Sequence, residues 1–98
     1  MGQTIEILST KAIDRMLIVD TDRSITGQDG ETFNGIEAAR RGVTLAARLA
    51  VRIFESDDAV DHVHAMSNTV TVRRLSGWDA ESSDRAAAIV GSFFRFYV

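Results

Sequence analysis

Hydrophobic and polar positions along the chain fall into six periodic stretches, each of which points to a strand or a helix. Thr4–Leu8 and Arg15–Thr21 are short runs rich in strand formers, and the polar SerThrLysAlaIleAsp between them reads as a turn or irregular link. Neighbouring strands with so short a connection pair antiparallel. Asp22–Gly35 is polar and holds Gly27, Gly30 and Gly35, so it reads as loop with a short extended piece near Ile25. From Ile36 to Phe54 the period becomes helical: Ala39, Gly42, Val43, Ala46, Leu49, Ala50 and Ile53 share one face, the stripe that covers a sheet. Ala46, Ala47 and Ala50 are small enough to let this helix lie close on its neighbour.

Alternation returns at Ala59–Ala65, with Asp61, Val63 and Ala65 on one side and Val60, His62 and His64 on the other. Alternation alone leaves the inward face of this strand open. Met66, Ser67 and Asn68 form a hairpin turn, since Asn tolerates the left-handed conformation, and the β-branched run Thr69–Leu75 returns as the next strand. Ser76 reads as the N-cap of a last helix with Asp79 three residues on, and Asp79, Glu81 and Asp84 place negative charge where the helix dipole favours it. Ala86, Ile89, Val90, Phe93 and Tyr97 recur at helical spacing, with Phe94 and Phe96 beside them. Such a stripe is core material, with aromatic surface left over for an interface between copies. The order ββαββα predicts a single α+β domain over 1–98, a two-layer sandwich in which a mostly antiparallel sheet carries both helices on one face.

Composition narrows the chemistry. Ninety-eight residues fill one domain and leave little room for a deep cleft. With 45% hydrophobic and 26% charged residues the chain has the make-up of an ordinary globule. No Cys is present, which removes disulfides, thiolate zinc sites, cysteine-held iron–sulfur clusters and thiol nucleophiles. A net charge of −3 argues against general nucleic-acid affinity. MGQTIEILST lacks the basic segment and long apolar run of a signal peptide, and no stretch reaches the roughly 18 apolar residues of a membrane span. The expectation is a cytoplasmic protein with no membrane partner.

Three groups of residues merit a chemical reading. The glycine-containing loop lacks the Lys and the pattern of a phosphate-binding loop, which leaves it a surface connection. His62 and His64 share a strand face, and two imidazoles so spaced can bind a transition metal if a further ligand joins them; without one they are surface or half-buried side chains. Arg41, Arg48 and Arg52 fall in a narrow wedge opposite the apolar stripe of the first helix, either a solvated face or a docking strip for an acidic partner or, as a lesser alternative, RNA.

Leu49, Ala50, Ile53 and Phe54, followed by Ala59, Val60 and Val63, then Val70, Thr71 and Val72 with Arg73 and Arg74 ahead of Trp78, form a run with a familiar order. In these residues the chain resembles the N-terminal domain of the Nfu/NifU-like scaffold family. Ala59 stands where that family tends to have Gly, Arg73 and Arg74 replace a Thr-Lys pair, and the family's Asn-Pro element is missing from a chain with no Pro. The resemblance implies a non-catalytic accessory or docking module, because in such proteins a separate C-terminal domain with a Cys-x-x-Cys motif holds the cluster. It implies no cofactor on this chain, and a protein partner such as an iron–sulfur scaffold or client.

The leading expectation is therefore an interaction module that docks through the open sheet face or the Arg41, Arg48 and Arg52 strip, with Arg73 and Arg74 as further basic contacts. Two alternatives stand beside it. One is a homo-oligomer, such as a homodimer, packed through Phe94, Phe96 and Tyr97; the other is a small metal-dependent or acid–base enzyme using His62, His64 and a nearby carboxylate.

Overall fold

The computed structural model describes residues 6–27 and 29–93, so Thr4, Ile5, Phe94, Phe96 and Tyr97 lie outside the described residues. Strands β1 (Ile7–Ile13), β2 (Met16–Thr21), β3 (Glu31–Phe33), β4 (Val60–Met66) and β5 (Thr69–Arg74) build one sheet in the order β1-β2-β5-β4-β3, and every neighbouring pair is antiparallel. Helices α1 (Ile36–Arg40), α2 (Leu45–Ser56) and α3 (Ala80–Ser92) complete the described elements, with α2 packed on β3 and β4 and α3 on β1 and β2. The α+β, sheet-and-helix architecture expected from the periodicity is present.

Why the core closes here is plain from side-chain size. Leu17 and Val19 of β2, Val70 and Val72 of β5 and Val63 of β4 project from the sheet and are almost wholly buried against Leu49 and Ile53 of α2 and Val90 and Phe93 of α3. Ala46, Ala47 and Ala50 are buried as well, which lets α2 approach the sheet closely, as their size suggests.

Several sequence expectations need correction. The polar link after Leu8 is strand: β1 runs on to Ile13, and the hairpin turns at Asp14 and Arg15, with Asp14 at φ 55°. Pairing to β2 outweighs the polar character of SerThrLys, since alternate residues of this edge strand turn their N–H and C=O groups to β2. Part of the glycine loop is β3, paired to β4 from Glu31↔Ala65 to Phe33↔Val63. At the start of β3, Gly30 has φ +75°, and a Cβ there would come within 3.0 Å of the Ala65 carbonyl oxygen, so the close approach to β4 needs glycine.

The long first helix is two helices. Gly42 lies so close to α2 that a Cβ would fall 2.5 Å from the Ala47 Cβ, and Thr44 then restarts the helix as N-cap, its Oγ1 accepting from the Ala47 N–H at 3.1 Å. The break takes Val43 off the predicted stripe and leaves it 84% exposed.

The inward face of β4, left open by alternation, is decided by a bulge between Val60 and His62. One extra residue lets Val60, Val63 and Ala65 all point into the core while His62 and His64 face away. In the β4–β5 turn the positive φ of 55° belongs to Ser67, while Asn68 clasps β2: its Nδ2 donates to the Thr21 carbonyl and its own carbonyl accepts from the Thr21 N–H, both at 2.9 Å. The last helix is capped by Asp79, not Ser76. The Asp79 carboxylate accepts from the Ser82 N–H at 2.8 Å, and Ser82 Oγ accepts from the Asp79 N–H at 3.0 Å. The Ser82 N–H, helped by the Ser82 hydroxyl that donates to the same oxygen at 2.7 Å, holds the Asp79 carboxyl below the usual carboxylate range. Gly77, at φ +76°, reverses the chain between Ser76 and this cap.

Candidate functional site

The two faces of the sheet differ. One carries all three helices; across the other, the register aligns Thr32, His64, Thr71, Ile18 and Lys11 in one row and His62, Arg73, Met16 and Ile13 in the next. Both histidines lie on this open face, as their shared parity predicted. Each is tied by Nδ1 to the β3 segment, His64 to Thr32 Oγ1 and His62 to Asn34 Oδ1, both at 2.6 Å. The bulge brings Asp61 round to Arg73, which donates to both its carboxylate oxygens at 2.8 and 2.9 Å. That bond lowers the Asp61 pKa and raises that of Arg73. Burial and the Arg73 charge lower the His62 pKa, with Asp61 opposing. Among the described residues no group of three His, Cys, Asp or Glu side chains is placed to hold a metal ion.

The five arginines singled out in the sequence are separated by the fold. Arg73 belongs to the open face and is engaged by Asp61. Arg74 points the other way. Its Nε donates to Asp57 at 2.7 Å and its Nη1 to the Gly77 carbonyl at 2.8 Å, and its guanidinium carbon lies 6.0 Å from the centre of the Trp78 ring. The Trp78 Nε1 in turn donates to the Arg15 carbonyl at 2.8 Å, so these contacts tie the β1–β2 turn to the start of α3. Arg74 is thus engaged within the fold by Asp57 and Gly77.

Arg48 and Arg52 stay together, one turn apart on the outer side of α2. With Arg40 of α1, Val51 and Glu55 they line a hollow of about 250 Å³ between the two helices. Arg41 does not line it: the helix break makes it the C-cap of α1, exposed at the corner. Arg40, which the helical-wheel reading missed, takes its place because α1 ends and the chain turns at Gly42. Arg40 is held by Glu37 at 3.0 Å and Glu55 at 3.9 Å. Arg48 is exposed and makes no ion pair with the described residues. Arg40, Arg48 and Arg52 thus stand with Glu37 and Glu55 around one hollow of a chain whose overall charge is −3. Such a surface attracts anions and can seat a carboxylate through the planar fork of a guanidinium.

No helix among the described residues is long and apolar enough to cross a membrane. No family model matches the chain, and no curated protein matches it either. Among solved structures, the crystal structure of protein SAV1430 from Staphylococcus aureus superposes with a TM-score of 0.61 at 11% identity, over 86% of this chain and 96% of that one. At that identity the chain shares its α+β fold with SAV1430, and the likeness shows the fold alone.

Proposed function

We propose that the protein is a non-catalytic interaction module that docks an acidic protein partner on the α1–α2 surface through Arg48 and Arg52. The observation that carries this reading is the collection of Arg40, Arg48 and Arg52 around one hollow, with Arg48 unengaged by any described acidic group. Arg48 is exposed on an acidic chain, whereas Arg40 is held by Glu37 and Glu55, and Arg73 and Arg74 by Asp61 and Asp57. The residue pattern from Leu49 to Trp78 supports a partner drawn from iron–sulfur cluster assembly, such as a scaffold or client bearing a Cys-x-x-Cys domain. In this role the chain supplies charge and shape and takes no part in ligating the cluster, since it has no Cys.

The test is a titration of the isotope-labelled chain with a separately expressed Cys-x-x-Cys cluster-carrying domain, read by amide NMR shifts. The expected result is shifts confined to α1 and α2, weakened by the Arg48→Glu variant with its melting temperature unchanged. Shifts that map to the open sheet face, or full affinity in that variant, would remove this surface from consideration.

A further inference from the structure

A second hollow lies beside the first. It is about 360 Å³, opens between α2 and α3, and is lined by Arg52, Glu55, Ser56 and Ile89. Arg52 and Glu55 line both hollows and form the wall between them. The two differ in chemistry. The first is lined by Arg40, Arg48 and Arg52, with Arg40 held by Glu37 and Glu55 and Arg48 exposed. The second offers an apolar contact, because Ile89 is only partly buried and packs against the hydrophobic core behind it.

We infer that this pair of hollows receives a peptide segment of a partner protein in which an acidic and an aliphatic side chain lie close together, the carboxylate in the first hollow and the aliphatic group in the second. The inference rests on the docking reading above and specifies the partner's chemistry at the same surface. Charge complementarity selects the carboxylate: Arg40 is met by Glu37 and Glu55, whereas Arg48 stands exposed at the rim and makes no ion pair with the described residues. An ion pair exposed to water and salt holds a partner weakly, so lasting contact needs apolar area beside it. Ile89 supplies that area at the neighbouring position. Arg52 lines both hollows and so joins the two halves.

The probes are three synthetic peptides added to the labelled full chain: acetyl-Ser-Glu-Glu-Leu-Leu-Glu-Gly-amide, its counterpart with each Glu replaced by Gln, and its counterpart with each Leu replaced by Ser. The parent peptide is expected to shift the amides of Arg48, Arg52, Ser56 and Ile89 together, and each replaced peptide to bind about tenfold more weakly or worse. Arg48→Glu, an exposed change that leaves folding intact, should weaken the parent peptide to the same degree. Equal binding by the Leu-free peptide or by the Gln peptide would overturn the inference, as would shifts outside α1, α2 and α3 or no shift with the parent peptide at millimolar concentration. If the Cys-x-x-Cys domain docks on the α1–α2 surface while the peptides behave alike, the inference fails and the docking reading stands. If the domain leaves that surface untouched as well, both fail.

Discussion

Asp57 offers the sharpest test of how the helices are fastened to the sheet. It is the C-cap of α2, and its side chain is only 9% exposed. One carboxylate oxygen accepts from Arg74 of β5 at 2.7 Å and from Arg85 of α3 at 3.1 Å, while the other accepts from the Ala59 N–H at 3.0 Å. A single anion therefore joins the end of α2, the last strand and the last helix. Asp57→Ala removes all three bonds. Hydrogen bonds to a charged group contribute about 1.5–3 kcal/mol each, but the three do not count equally. Arg85 keeps Glu81 at 3.7 Å and is well exposed, so its loss is small. Arg74, 19% exposed, is left with a guanidinium deprived of its anion. The sum is about 2–4 kcal/mol, which in a domain of this size lowers the melting temperature by roughly 10–25 °C. Thermal and urea unfolding followed by circular dichroism measure it. Glu55→Ala, which breaks only an exposed 3.9 Å contact, serves as the control and should stay within about 0.5 kcal/mol. An Asp57→Ala loss no larger than that of the control would refute the account.

The same carboxylate makes an acid prediction. Burial raises the Asp57 pKa, but the hydrogen bonds from Arg74, Ala59 and Arg85 outweigh it, and the folded value lies below the ordinary one of 3.8. The unfolded chain therefore takes up the proton first, so the stabilisation is complete above that pH and drains away as pH falls below it. Asp57→Ala should flatten this limb of the stability curve; an unchanged limb would assign it to other carboxylates.

The remaining expectations concern the helix break and the open face. Gly42→Ala should destabilise by about 1–3 kcal/mol in urea unfolding, because its Cβ must displace the Ala47 Cβ from 2.5 Å, whereas Gly27→Ala, with nothing within 4 Å, should be close to neutral. Two equal midpoints would mean that the approach of Gly42 to α2 is loose. His62 has a folded pKa below its ordinary value of 6.5, so the unfolded state is protonated first and stability should decline as pH falls through about 6.5. His62→Gln should lessen that decline between pH 7 and 5, and a parallel curve would place the slope elsewhere. Added zinc should leave the melting temperature of the wild type and of His64→Gln alike, since the described residues bring no third ligand to the pair; a rise confined to the wild type would restore the metal reading.

How much was legible depends on whether a feature is local. The strands Met16–Thr21 and Thr69–Arg74, the buried stripe of α2 and the shared face of His62 and His64 follow from periods that side-chain direction alone imposes. The strand character of Ser9–Ile13 and Glu31–Phe33 was not legible, because edge strands exist through pairing with a distant partner and carry no strong pattern of their own. The boundary at Gly42 and Thr44 had a signal, a Gly followed two residues later by a good N-cap, which the continuous apolar stripe outweighed. For the same reason Arg40 went unnoticed as a lining residue of the hollow while Arg41 was included.

The sequence by itself determined the α+β class, the composition of the core and the absence of thiolate chemistry, since these depend on residue type and short-range period. Which arginines meet an acidic neighbour is set instead by contacts between distant parts of the chain. Asp57 and Asp61 consume Arg74 and Arg73, and the turn at Gly42 gathers Arg40, Arg48 and Arg52 around one hollow. Whether a charge is neutralised or offered to a partner depends on what lies within a few ångströms, and those neighbours come from elements far apart in the chain.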